Sequence, residues 1–394
     1  MKFVFWISLI IVFYTFIGYG ILLFFIITIK RFFRKGKKIS AENTRVFSVT
    51  LLIAAYNEAA YLDEKIRNCL ELDYPEGKLE IAFVTDGSSD NSPELIRGHP
   101  RLLLFHKPER KGKMAAIKRV IPMINTDIIV FTDANTYLNK EAIKELVKHY
   151  QNAKVGAVAG EKKILVDNVA DASAAGEGFY WKYESILKKW DYELYSNVGA
   201  AGELFSIRRR LYQPVESDTI IDDHMIAMRI AEKGYIIAYE PWAFARESAS
   251  ANSKEELKRK VRIAAGGIQS ILRLKKSANP FYNPLLTFQY ISHRVLRWTV
   301  APFLMIALFF SNAAIVLQSP YSSFYKWLFF VQIAFYILAA AGFILERKSI
   351  RLKVFFIPYY FCLMNYAVIA GIVRFIRKKQ SAAWEKSVRK PGVA

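Results

Sequence analysis

Phe47 to Ala55 reads FSVTLLIAA, and Asp127 to Thr132 reads DIIVFT. Each is a short, nearly unbroken apolar run that stops at a polar turn, the pattern of a strand buried on both faces. Glu80 to Thr85 (EIAFVT) repeats the pattern, and Leu102 to Phe105 adds a shorter run. Glu58 to Leu72 and Gly112 to Ile121 carry helical spacing. Strands alternating with helices predict an α/β domain with an open, mostly parallel, Rossmann-like sheet covered by helices on both faces. Ligands of such sheets bind at the carboxyl ends of the strands. Two acidic turns fall there: Asp86-Gly87-Ser88-Ser89-Asp90 after EIAFVT, and Asp133-Ala134-Asn135 after DIIVFT.

Outward from this block the composition changes. The chain of 394 residues is 53% hydrophobic and 23% charged, with a mean hydropathy of +0.14. Its uncharged runs lie at the ends: Phe3–Ile29, Trp298–Tyr325, Trp327–Leu345 and Val354–Val373. A bilayer core about 30 Å thick needs about 20 apolar helical residues, so each run is long enough to span. The first is too long for the apolar core of a secretory signal and no small-residue cleavage site follows it, so it reads as an anchor. The expected organisation is a transmembrane helix in 1–33, a water-soluble domain in 46–275, an interface segment with about three transmembrane helices in 276–376, and a basic tail in 377–394.

The formal net charge is +21, yet the basic residues gather beside the spans. Lys30, Arg31, Arg34, Lys35, Lys37 and Lys38 follow the first, and Arg374, Arg377, Lys378 and Lys379 follow the last. Charge so placed reads as membrane orientation and contact with anionic lipid, and not as a nucleic-acid surface. It puts the protein in the cytoplasmic membrane with the soluble domain facing the cytosol. Three further spans leave the tail outside, against its own basic charge; a re-entrant or interfacial run would reconcile the two. Cys69 and Cys362 form no disulfide framework, which fits a reducing compartment, and the five histidines show no zinc-like spacing.

Asp86 can accept hydrogen bonds from a nucleobase or ribose, or can simply serve a turn that favours Asp, Gly and Ser. Asp133 with Asn135 offers oxygen ligands to Mg2+ or Mn2+ on a diphosphate; the alternative is a helix cap. Asp222 and Asp223, in TIIDDHM, repel each other unless a cation or substrate is near, and one of them is a candidate general base; a plain N-cap is the alternative. Lys254 to Lys275 is amphipathic, with Leu257, Val261, Ala264, Ile268, Ile271 and Leu272 on one face and Lys258, Arg259, Arg262 and Arg273 on another. It suits a helix lying on the membrane, and also an Arg259 or Arg262 that neutralises a departing diphosphate. Tyr180, Tyr183, Leu187, Trp190 and Leu194 share a face of a further helix, Phe179 to Tyr195. Such a stripe is a core face or a platform for a sugar ring.

The order of these motifs resembles the family 2 glycosyltransferases of GT-A fold, in the membrane-integrated branch that includes hyaluronan, chitin-oligosaccharide, poly-N-acetylglucosamine and cellulose synthases. The resemblance runs from residue 46 to about 275. It implies donor-binding roles for Asn57 and Glu58 in VTLLIAAYNEAAYL, Asp86 in VTDGSSDNS as the acid at the base, and Lys113 in RKGKMAAIKR near the donor. It implies Asp133 as the metal ligand, with Asn135 where the family has its second acid, and Asp223 as the base, with Asp222 in the place of a Glu. Processive members carry Gln-x-x-Arg-Trp before the membrane. Here the stretch is Arg259-Lys260-Val261-Arg262-Ile263, which keeps the arginine and loses the tryptophan. The resemblance therefore implies an inverting, metal-dependent transfer from a nucleotide-sugar, of UDP type, to a glycan or lipid-linked acceptor in envelope or exopolysaccharide synthesis. A processive synthase that translocates its product, or a silent subunit of an envelope complex, are the other readings. Expected partners are the donor, the acceptor, membrane lipids and, as homo-oligomer or envelope complex, other chains.

Overall fold

A computed structural model describes residues 1–33, 45–165, 172–248, 253–318, 323–348, 350 and 352–378. Arg34, Lys35, Lys37, Lys38, Lys379 and the rest of the basic tail, with the side chains of Phe179 and Tyr180, lie outside the described residues.

Eight strands form one sheet in the order β3-β2-β1-β4-β7-β6-β8-β5. They are β1 Val49–Ala55, β2 Leu79–Asp86, β3 Leu102–Lys107, β4 Ile128–Asp133, β5 Thr136–Leu138, β6 Val155–Leu165, β7 Phe205–Arg208 and β8 Ile236–Ser248. The β3-β2-β1-β4 half is parallel, as the apolar runs predict. The other half is mixed: β7 is antiparallel to β4 and β6, and β5 to β8, while β6 and β8 run parallel.

β1 is buried along its whole length, and alternate residues serve opposite faces. Leu52 and Ala54 join Ile129 and Phe131 in one core, roofed by the helices Lys113–Val120 and Asp222–Ala231. Leu51, Ile53 and Ala55 join Ile128 and Val130 in the other, beneath the helix Ala59–Leu70. That double burial explains runs without polar alternation.

Four helices are long and apolar enough to cross a membrane: Lys2–Phe33, Ala301–Gln318, Ser323–Arg347 and Lys353–Ile376. The chain is an integral membrane protein with its sheet domain between the first span and the other three. The first span is bolted to the helix Ala172–Leu194. Tyr183 donates its hydroxyl to the Phe16 carbonyl at 2.9 Å, and Tyr19 donates to Asp191 Oδ1 at 2.5 Å. Asp191 also bonds His293 at 2.5 Å, and Glu184 meets Arg294 and Arg297 at 3.0 Å each. The aromatic stripe is thus a core face: Leu187 is buried against Tyr19 and Leu23, with Tyr183, Trp190 and Leu194 packed around them.

The basic helix spans Ser253–Arg273. Leu272 is exposed, whereas Ala264, Ala265, Gln269 and Ser270 are buried. The helix docks on protein through its small residues. A Cβ on Gly266 would meet Ile221 at 2.9 Å and one on Gly267 would meet Trp298 at 2.6 Å, while Ala264 and Ala265 face Gly371 of the last span. Hydropathy spacing missed this because a glycine contributes closeness and no side chain.

Candidate active site

Asp86 ends β2 and Asp133 ends β4, with β1 between them. Two strand spacings of about 4.8 Å and a two-residue stagger put the two acids about 12 Å apart along one rim of the sheet. Asp86 is buried, and its Oδ2 accepts the backbone N–H groups of Lys111 and Gly112 at 2.7 and 2.6 Å. Its Oδ1 is buried with no hydrogen-bond partner, an acceptor waiting for a donor. Gly112 has φ +95°, a conformation that lets the loop present this N–H and then enter the Lys113 helix.

Asn57 and Glu58 frame this end of the cleft. Asn57 has φ +53°, which Asn tolerates, and its Oδ1 accepts the Ser89 N–H at 2.8 Å. The Glu58 N–H bonds Ser92 Oγ at 3.1 Å. Both therefore pin the DGSSDNS turn. Arg110, which the sequence reading passed over, stacks its guanidinium 4.0 Å from the centre of the Tyr56 ring beside them.

At the other end the charges converge. Lys113 Nζ lies 3.1 Å from Asp133 Oδ1 and 3.6 Å from Asp222 Oδ2. Gly202, from the loop before β7, closes the group: a Cβ there would sit 3.6 Å from Asp223 Oδ2 and 3.8 Å from Asp133 Oδ2. Lys113, Thr132, Gly202 and Asp222 line one cleft. Asp222 and Asp223 open the helix Asp222–Ala231, where the backbone dipole favours negative charge. Burial, then the charge of Asp222, pushes the Asp223 carboxyl up to about 7, with Lys113 pulling the other way. Burial likewise raises Asp133 against the pull of Lys113. Burial acts to lower the Lys113 ammonium, but Asp133, Asp222 and Asp223 outweigh it and the net shift is upward.

Among the described residues no three His, Cys, Asp or Glu side chains form a cage for a metal ion. The site nonetheless fits a hard cation that is shared with a ligand. Mg2+ is commonly held by one or two carboxylates plus substrate phosphates. The Lys113 ammonium already stands as a cation between Asp133 and Asp222, and Asn135 is half-buried on the same turn.

The two arginines of the docked helix part company. Arg259 is spent on carboxylates: both Glu256 oxygens at 3.1 Å, and Glu203 and Glu247 at 3.9 Å. Lys162 joins the same lattice, bonding Glu203 at 2.5 Å and also Glu247. Sequence reasoning missed Glu203, Lys162 and Glu247, since none has a motif around it. Arg262 lies on a different line. Arg273 reaches Asp218 at 2.7 Å, Gln269 accepts the Ile220 N–H at 3.1 Å, and Gly266 abuts Ile221. Arg262 falls on that same helical face, one turn before Gly266. Arg259→Ala is therefore expected to act on stability. It strips a cation from three carboxylates in a nearly buried lattice, at a cost of about 3 kcal/mol. A lower melting temperature with unchanged nucleotide affinity is the expected result; lost affinity at unchanged stability would place Arg259 at the donor.

Residues 50–214 match the family model described as Glycosyl transferase family 2. The chain is 27% identical over 271 residues to a poly-beta-1,6-N-acetyl-D-glucosamine synthase of Staphylococcus aureus, a match that covers 65% of this chain and 64% of that one. It is 29% identical over 198 residues to a beta-monoglucosyldiacylglycerol synthase of Trichormus variabilis, covering 46% and 41% of the two chains. The chain thus spans less than two thirds of the length of these relatives. A mannosyltransferase of Pyrobaculum calidifontis, solved in complex with GDP-Man and Mn2+, superposes with a TM-score of 0.71 over 95% of this chain and 99% of its own, at 23% identity. That likeness shows the fold, spans included. Residues 50–214 are thus similar to glycosyl transferase family 2, and the chain has a GT-A-like fold set between membrane helices.

Proposed function

We propose that the protein transfers one sugar, with inversion, from a nucleotide-sugar donor to a lipid-linked or membrane-surface glycan acceptor. The observation that carries this reading is the meeting of Lys113, Asp133, Asp222 and Asp223 around Gly202, at the carboxyl ends of parallel strands. The domain of residues 46–275 is taken as the catalytic unit, facing the cytosol. Asp86 Oδ1 would accept a hydrogen bond from the nucleobase, with UDP as the expected nucleotide. Asp133, with Asn135, would hold a divalent cation on the diphosphate. When bound, that cation neutralises charge on the departing group. Lys113 and Arg262 would add fixed positive charge where the leaving charge develops. Asp223 would take the proton of the acceptor hydroxyl. The hydroxyl oxygen then forms its bond to the anomeric carbon from the face opposite the nucleoside diphosphate, and the bond to that leaving group breaks.

A base must be ionised to work, so a raised carboxyl gives a rate that falls with acidity. The acid limb of kcat/KM is expected near pH 7, rising with pH. Lys113→Met removes a cation that favours ionised Asp223, so the limb should move to higher pH by about one unit. A limb that stays in place would mean that another group limits the rate.

Ile263 supports single transfer over chain growth, because it lacks the flat ring on which an acceptor sugar could stack. The likeness to a beta-monoglucosyldiacylglycerol synthase agrees with a lipid acceptor. Sizing the product tests this: a radiolabelled single-sugar product that partitions into organic solvent is expected, and a labelled polymer would overturn it.

A further inference from the structure

Lys65 is an aliphatic amine with no exposed surface, placed inside the core under the helix Ala59–Leu70. An ammonium so deep is costly unless its hydrogen bonds are met, and an apolar side chain of similar size would fill the same space without that cost. What it touches explains its place. Its Nζ donates to the Thr136 carbonyl at 2.6 Å and to Thr132 Oγ1 at 3.3 Å. Those residues flank the Asp133-Ala134-Asn135 turn on both sides. Thr136 Oγ1 donates to the Asp133 carbonyl at 2.9 Å and tightens the turn from within. Thr132 Oγ1 donates to the Glu203 carbonyl at 2.8 Å and ties the turn to the loop that carries Gly202. Gly202 is the residue against which Asp133 and Asp223 both lie.

Lys65 reaches this web from the face of the sheet opposite Lys113, so the end of β4 is held between two amines. Lys113 touches the carboxylates themselves. Lys65 touches only the backbone and hydroxyls that aim them.

We propose that Lys65 is the positioning residue of this site: from beneath, it fixes the Asp133–Asn135 turn against the Gly202–Glu203 loop and so sets the gap into which a cation-bound diphosphate fits. The inference rests on the donor-binding reading given above. Without the amine, the Thr136 carbonyl loses its buried donor and the turn is free to rotate away from the loop. Positioning of this kind is expected to show as weaker grip on a cation–nucleotide complex, and to leave acceptor recognition alone.

The test uses the full chain in detergent, with UDP and GDP as probes and Mn2+ at fixed concentration. Lys65→Met keeps the length of the side chain and removes the donor. Thr132→Val keeps the volume and removes only the hydroxyl that reaches Glu203. Nucleotide affinity in Mn2+, read by titration calorimetry well below each melting temperature, is expected to fall about 10-fold to 100-fold in Lys65→Met. A smaller loss is expected in Thr132→Val. The KM for acceptor should hold while the KM for donor rises. If Lys65→Met has a lower melting temperature but wild-type affinity and donor KM while folded, Lys65 is a structural residue and the inference is overturned. If Lys65→Met does not fold, Thr132→Val decides by the same measurement. Should neither nucleotide bind the wild-type protein, the donor-binding reading itself fails, which is a different result.

Discussion

Asp223→Asn is expected to lower kcat by about 10³-fold, the scale of a lost general base. Donor affinity should be nearly unchanged. The reasoning starts from volume and charge. Asn fills the same space beside Gly202 and keeps an oxygen there, so the cleft should hold its shape. The substitution also removes one of two like charges in the first turn of a buried helix, and so the protein is not expected to lose stability. What it removes is the ionisable carboxylate that accepts a proton. Asp222 stands next to it but is turned to Lys113, at 3.6 Å. Single-turnover rates beside donor titrations check this. Equal loss of rate and of donor affinity would move Asp223 from the chemistry to the binding of the donor.

Asp133→Ala is expected to cost about 10²-fold or more in kcat/KM, with cation-dependent nucleotide binding lost. Two effects add. The turn loses the carboxylate that would share a cation with the diphosphate. Lys113 loses a partner at 3.1 Å and keeps Asp222 at 3.6 Å. The residual rate of the variant should no longer respond to Mn2+ or to a chelator. Calorimetry with and without Mn2+ separates this from a plain loss of fold. Retained Mn2+-dependent binding would place the cation elsewhere.

The parallel half of the sheet is readable from sequence because its strands are buried on both sides, so hydropathy alone marks them. The mixed half is not. β6 carries Glu161-Lys162-Lys163 in its second half, and β8 carries Pro241, Glu240 and Glu247, so neither looks like a buried strand. Those charges are consumed across strands: Lys162 meets Glu247 on β8 and Glu203 before β7. A charge neutralised by a partner dozens of residues away leaves no local trace. The acids of the site stand at strand ends and in a first helical turn, positions that spacing can find. Lys65 stands one helical turn before Cys69 on a buried face, and nothing in its neighbourhood separates it from a surface lysine. The docked helix shows the same limit: its charge pattern is legible, but the close approach that Gly266 and Gly267 allow to Ile221 and Trp298 is not.

The most direct measurement is release of nucleoside diphosphate by the purified protein from a panel of nucleotide-sugars, run with Mn2+ and again with chelator. One donor should be consumed far faster than the others, only with the cation, and not by Asp133→Ala. If every donor survives intact in the presence of Mn2+ and membrane-lipid extract, or if the chelator changes nothing, then the carboxylates gathered around Lys113 do not form a metal-assisted transferase site.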